Sequence, residues 1–134
     1  MRRILLSLAL AAGLLPATIS PAWACSCIAV SPDDHARRAR VVFTGEARSI
    51  TDNGNTLVTR FTAQIVYKGE VPRRLDVITA KDSAACGFPF REDKNFTVFG
   101  SKVRNGHTGT NLCTGTTRGG IDPADYGLPP GDRT

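Results

Sequence analysis

Histidine is nearly missing from this 134-residue sequence: His35 and His107 are the only two, and they stand far apart. That removes the helical two-histidine zinc motif, and no serine, histidine and acid are placed by any pattern for nucleophilic catalysis. Both histidines read as surface residues. Paired C-x-x-C spacing is also absent, so a zinc site inside the chain is not expected. No glycine-rich phosphate loop occurs; the glycines fall at turns. Aromatic residues make up 7% of the chain. Phe43, Phe61, Phe96 and Phe99 fall on strand-like stretches and read as core, whereas a nucleic-acid surface needs stacking aromatics beside a basic groove. Asp33-Asp34 is a helix start before it is a catalytic pair. An enzyme is therefore the least supported class, and no nucleic-acid partner is expected. Finally, the longest apolar run, Ile4 to Leu15, is too short to cross a bilayer.

That short run belongs to a different signal. Met1-Arg2-Arg3 is a positive start, Ile4 to Leu15 an apolar centre, and Ala22-Trp23-Ala24 a small-x-small cleavage site. Residues 1–24 thus read as a secretory signal peptide, and the product as secreted. Cleavage leaves Cys25 as the first residue of the mature chain. The alternative, a lipid anchored on Cys25, suits the sequence less well, because Trp23 is bulky where a small residue is usual. Arg2 and Arg3 leave with the signal and no acids do, so the net charge falls from +5 to +3. This moderate surplus points neither to nucleic acid nor to acidic lipid. The remaining chain is enough for one domain.

Along that domain, Ser31-Pro32-Asp33-Asp34 predicts a short helix reaching about Ala39. Ser31 caps it, Pro32 suits the first position, and the acids favour the positive end. Residues 41–50 read as a strand with a bulge at Gly45. Asp52-Asn53-Gly54-Asn55 is a turn. Thr56 to Tyr67 alternates, with Leu57, Thr59, Phe61, Ala63, Ile65 and Tyr67 facing inward. Further strands are expected at 74–79, 96–100 and 108–112, with an irregular loop from Lys81 to Glu92. The domain is taken as residues 25–118. The tail, 119–134, is rich in Gly, Pro and Asp; one helical turn near Pro123 and then disorder are expected. Its removal should cost less than Cys113→Ser. Five strands and one or two short helices suggest an all-β, five-stranded Greek-key barrel of the OB-fold type, with a small sandwich as the alternative.

The four cysteines, Cys25, Cys27, Cys86 and Cys113, carry most of the remaining information. In an exported chain they read as two disulfides, with three connectivities open. In extended backbone Cys25 and Cys27 share a face and Ser26 takes the other. A Cys25–Cys27 bond would close a strained ring, so each is expected to reach one of the distant cysteines. Either long bond closes a loop of about 60 residues or more, worth roughly 4 kcal/mol in the chain-entropy model. Two such bonds would fix the new α-amino group instead of leaving it frayed.

The order and spacing of several segments give a resemblance: Cys25-Ser26-Cys27, Val41-Val42-Phe43 after a short helix, Tyr67-Lys68-Gly69, Cys86-Gly87-Phe88, and Phe96 to Gly100 leading to Cys113. Together they resemble the N-terminal domain of the tissue inhibitors of metalloproteinases, within the netrin-like group of OB-fold modules, over about Cys25 to Thr116. The resemblance implies the pairs Cys25–Cys86 and Cys27–Cys113. It implies an inhibitor of zinc metalloproteases, with no cofactor of its own, that meets the protease zinc in trans through the Cys25 backbone amine and carbonyl. By the same resemblance Ser26 enters the pocket beside the zinc. Cys27, Ile28 and Ala29 continue the contact ridge, and Ser83, Ala84 and Ala85 adjoin it. Ala29 stands where the family usually carries proline, and the family's third disulfide in this domain has no counterpart. The alternative is a netrin-like module that binds another protein or a cell-surface ligand.

Overall fold

The computed structural model describes residues 25–134; the signal-peptide reading falls on residues 1–24 and lies outside them. The described chain is mostly β. One α-helix, α1 (Pro32–Arg38), precedes strands β1 (Val41–Asn53), β2 (Thr56–Lys68), β3 (Arg74–Ala80), β4 (Lys94–Gly100), β5 (His107–Gly109), β6 (Thr117–Arg118) and β7 (Asp132–Arg133). All seven strands form one sheet in the order β5-β3-β2-β1-β4-β6, with β7 added beside β2. Neighbours are antiparallel except β3 and β5, which run parallel. The count of five strands is thus too low. The two that were missed span only two residues each and lack any periodic signature.

α1 forms where its capping chemistry predicts. The Ser31 hydroxyl accepts the Asp34 N–H at 3.4 Å and lies 2.6 Å from an Asp33 carboxylate oxygen and 2.9 Å from one of Asp34. Arg37 pairs with Asp33 at 3.0 Å and also with Asp34. The hairpin joining β1 and β2 closes opposite Asn53 and Thr56, and the register shifts at Gly45 as the bulge reading requires.

Two apolar cores lie on opposite faces of β1. Phe43 and Ala47 pack with Phe61, Ala63, Leu75, Val77, Phe90, Phe96 and Val98 in the larger one. Val42 packs with Phe99, Tyr67 and the helix residues Ala36 and Ala39 in the smaller one. This explains the unbroken apolar run at Val41-Val42-Phe43: a strand covered on both faces needs no polar alternation. It also explains why β2 departs from its expected alternation. Thr59, Phe61 and Ala63 point into the larger core, but Tyr67 enters the smaller one and Val66 packs against the larger.

The tail is ordered, contrary to expectation. Pro123–Tyr126 forms a 3-10 turn capped by Asp122, and Ile121, Tyr126 and Leu128 pack against the smaller core. The Thr97 hydroxyl donates to Gly119 O at 2.8 Å, and Thr134 N–H donates to Gln64 O at 3.1 Å. At the other side of the sheet, β4 and β5 share no ladder. Their ends are joined by Ser101 N–H to Gly109 O at 3.1 Å and by the Thr108 hydroxyl to Ser101 O at 2.7 Å.

Candidate functional site

Cys25 is bonded to Cys86 and Cys27 to Cys113, with Cα separations of 5.1 and 5.2 Å and no free cysteine among the described residues. These are the pairs the resemblance implies. The two bridges stack: the Cys86 and Cys113 sulfurs are 3.9 Å apart. Three of the sulfurs, those of Cys25, Cys86 and Cys113, lie within 4.8 Å of one another. That spacing would suit a metal if the groups were thiolates, but bridged sulfurs are not available as thiolate ligands.

Residues 25–30 make no backbone hydrogen bond with any described residue. The bridges therefore do the anchoring, and they bring the segment to two places. The first is the 3-10 turn Ser83–Ala85, capped by the Asp82 carboxylate, which accepts the Ala84 N–H at 2.9 Å. The turn ends on Cys86, whose backbone is left-handed (φ 63°), a conformation that costs a non-glycine residue on the order of 1–2 kcal/mol. Cys86 N–H bonds Ser83 O at 3.0 Å, and Gly87 N–H bonds Asp82 O at 3.0 Å. Gly87 must be glycine here: a Cβ would sit 2.0 Å from the Ala80 carbonyl oxygen. The second place is the segment after β5, where Leu112 N–H donates to Cys86 O at 2.9 Å and the Asn111 side chain accepts the Cys113 N–H at 2.8 Å.

The result is a ridge. Ser26, Cys27, Ile28 and Ala29 are all exposed, as are Ser83, Ala84 and Ala85, while Cys25 is half-buried. Ile28 is 86% exposed and Leu112 40% exposed. Among the described residues these are the two large apolar side chains left in water, and they flank the two ends of one disulfide, Cys27–Cys113. The bridges thus bring Ser26–Ala29 and Ser83–Ala85 onto neighbouring anchors, as expected. Leu112 was missed because it was read inside a strand ending at Cys113; β5 stops at Gly109, and Leu112 turns outward. Asp82 was missed as well, although an acid just before Ser-Ala-Ala is a legible cap.

His35 and His107 lie apart from the ridge chemistry. His35 is in α1, and a Cβ on Gly115 would meet its side chain at 2.7 Å. His107 stands on β5, 3.8 Å from Asp76. No helix among the described residues is long and apolar enough to cross a membrane. No protein-family model matches the sequence, and no curated protein matches it.

Proposed function

We propose that this protein is an exported inhibitor of zinc metalloproteases, built on a five-stranded Greek-key barrel to which β6 and β7 are short additions. The barrel reading is supported by the β1-β2-β3 meander, by β4 beside β1, by β5 parallel to β3, and by the hydrogen bonds between the ends of β4 and β5. The observation that carries the inhibitor reading is the tethering of Cys25 by Cys86 at one end of an exposed ridge.

Cleavage after Ala24 would leave a free α-amino group on Cys25. Such a group has an ordinary pKa near 8, so an appreciable fraction is neutral at pH 7 and has a lone pair to donate. Its nitrogen and the Cys25 carbonyl oxygen can close a five-membered chelate on a metal. A catalytic zinc has three protein ligands and a water in an open position, which this chelate can take. The Cys25 sulfur must be locked away, because a thiolate would compete for the zinc; the bond to Cys86 does this. The same bond orders the terminus before binding, which lowers the entropic cost of association. Ser26, on the opposite face of the extended segment, is then placed to enter the pocket beside the zinc. Ile28, Ala29 and the Ser83–Ala85 turn meet the walls.

A second reading rests on Ile28 and Leu112. Two exposed apolar side chains on a rigid disulfide suit a docking anchor for any protein partner, with or without a zinc. The test is inhibition of a panel of zinc metalloproteases by the processed, oxidised protein. Inhibition of at least one member is expected. If no member is inhibited by protein verified to begin at Cys25, the chelating reading fails and the docking module replaces it.

A further inference from the structure

Away from the ridge, the outer surface of β1, β2 and β3 gathers arginines. Arg48, Arg60, Arg73 and Arg74 line one open cavity of about 440 Å3 together with Thr62, and no carboxylate is among the lining residues. The register explains the gathering. Arg60 lies opposite Ser49 on one side and Asp76 on the other, and Thr62 lies opposite Arg74. Arg60 and Arg74 are therefore diagonal neighbours, about 7–8 Å apart at the backbone. Phe61 and Ala63 point into the core, which leaves Arg60 and Thr62 on the outer face.

Two of the four are held in place. Arg60 grips Asp76 with two bonds, at 2.8 and 3.0 Å, and Arg48 meets Glu46 at 2.8 Å. Arg73 and Arg74 are exposed and have no ion-pair partner among the described residues. Four guanidinium groups thus face two carboxylates, and the surplus sits on adjacent residues whose mutual repulsion an anion would relieve. A tetrahedral oxyanion offers three oxygens and can bridge two neighbouring guanidinium forks, which a planar carboxylate engaged by one fork does not. The cavity is open and crosses three strands, a span of about 10 Å, so it suits an extended chain. Nucleic acid fits poorly. All six phenylalanines and both tyrosines pack in or against the two cores, which leaves no stacking platform on this face.

We propose that this arginine face binds an anionic polysaccharide bearing sulfate or phosphate esters, with Arg73 and Arg74 as the anion contacts and Arg60 and Arg48 as pre-oriented flanks. The assignment does not depend on protease inhibition. The test is fluorescence anisotropy of labelled dextran sulfate and of labelled poly(glycerol phosphate), titrated with the oxidised protein at several salt concentrations. Hyaluronate serves as the carboxylate control. Saturable binding to at least one ester polymer is expected, and the stronger of the two identifies the ester. Arg73→Ser/Arg74→Ser should weaken that binding about tenfold or more and lower the log–log salt slope by about 1–2, with an unchanged melting temperature. Lys102→Ser/Arg118→Ser removes the same charge elsewhere and should change affinity less than about twofold. Equal loss in the two double variants, no saturable binding to either ester polymer, or equal affinity for hyaluronate or for an oligothymidine would overturn the proposal.

Discussion

Cutting the chain after Arg118 removes a tail that looks dispensable by composition and is not so by packing. Ile121, Tyr126 and Leu128 are partly buried against Val42, Phe99, Tyr67 and the two helix alanines. Full burial of such a side chain is worth about 1.5–3 kcal/mol, so partial burial of three gives about 3 kcal/mol. Thr97 is fully buried, and its hydroxyl donates to Gly119 O at 2.8 Å, which adds a net of about 1 kcal/mol. The cut should therefore cost about 4 kcal/mol, within the 2–5 kcal/mol typical for losing a native disulfide, as in Cys113→Ser. The expectation that the tail is the cheaper loss gives way to one of near equality. For a domain of this size about 4 kcal/mol lowers the melting temperature by roughly 15 °C or more. Tyr126→Ala alone, which removes the ring stacked 5.3 Å from Phe99, should lower it by roughly 5–10 °C. Differential scanning calorimetry reads both. A truncated protein that melts within about 2 °C of the intact one would refute the packing argument.

Three further outcomes are expected. Gly87→Ala places a methyl against the Ala80 carbonyl, where a Cβ would stand at 2.0 Å, and should lower stability by about 2–3 kcal/mol in urea denaturation; an unmoved midpoint would show that the turn yields freely. The hydrogen bond from Arg60 holds the Asp76 carboxyl below its ordinary 3.8, only partly offset by burial, so this group stabilises the fold above about pH 4 and the contribution is lost as pH falls through the lowered folded value. Asp76→Asn should accordingly flatten the acid limb of melting temperature against pH, and an identical limb would contradict the assignment. Ile28→Ser, at an exposed position, should change stability by less than about 0.5 kcal/mol yet weaken protease inhibition; a large melting shift would mean that Ile28 packs inward.

Much of the β framework was legible because each signal was local. Ser31-Pro32-Asp33-Asp34 and Asn53-Gly54 fix the start of α1 and the β1–β2 hairpin through side-chain and turn chemistry alone. What stayed hidden depends on contacts between distant segments. The smaller core is built from Ala36, Ala39, Tyr67, Phe99 and tail residues that share no periodicity. β6 and β7 exist through pairing with β4 and β2, not through their own sequences. At the candidate site the cysteines were conspicuous, and their pairing followed from the resemblance, not from spacing. Leu112 was obscured because Thr108 to Leu112 reads as one strand, whereas hydrogen bonds to Ser101 and Cys86 end the ladder at Gly109.

The central claim is that the Cys25 amine and carbonyl reach a protease zinc. Its most direct measurement is the inhibition constant of protein beginning at Cys25 against that of the same protein with one alanine added before Cys25, on any metalloprotease the first form inhibits. The extension leaves both disulfides and the ridge in place but moves the free amine one residue away and turns the Cys25 nitrogen into an amide, which is a poor ligand. Inhibition should weaken about a hundredfold or more, as expected for loss of a metal-ligand contact of about 3 kcal/mol, while the melting temperature stays the same. Equal inhibition by the two forms would contradict chelation through Cys25.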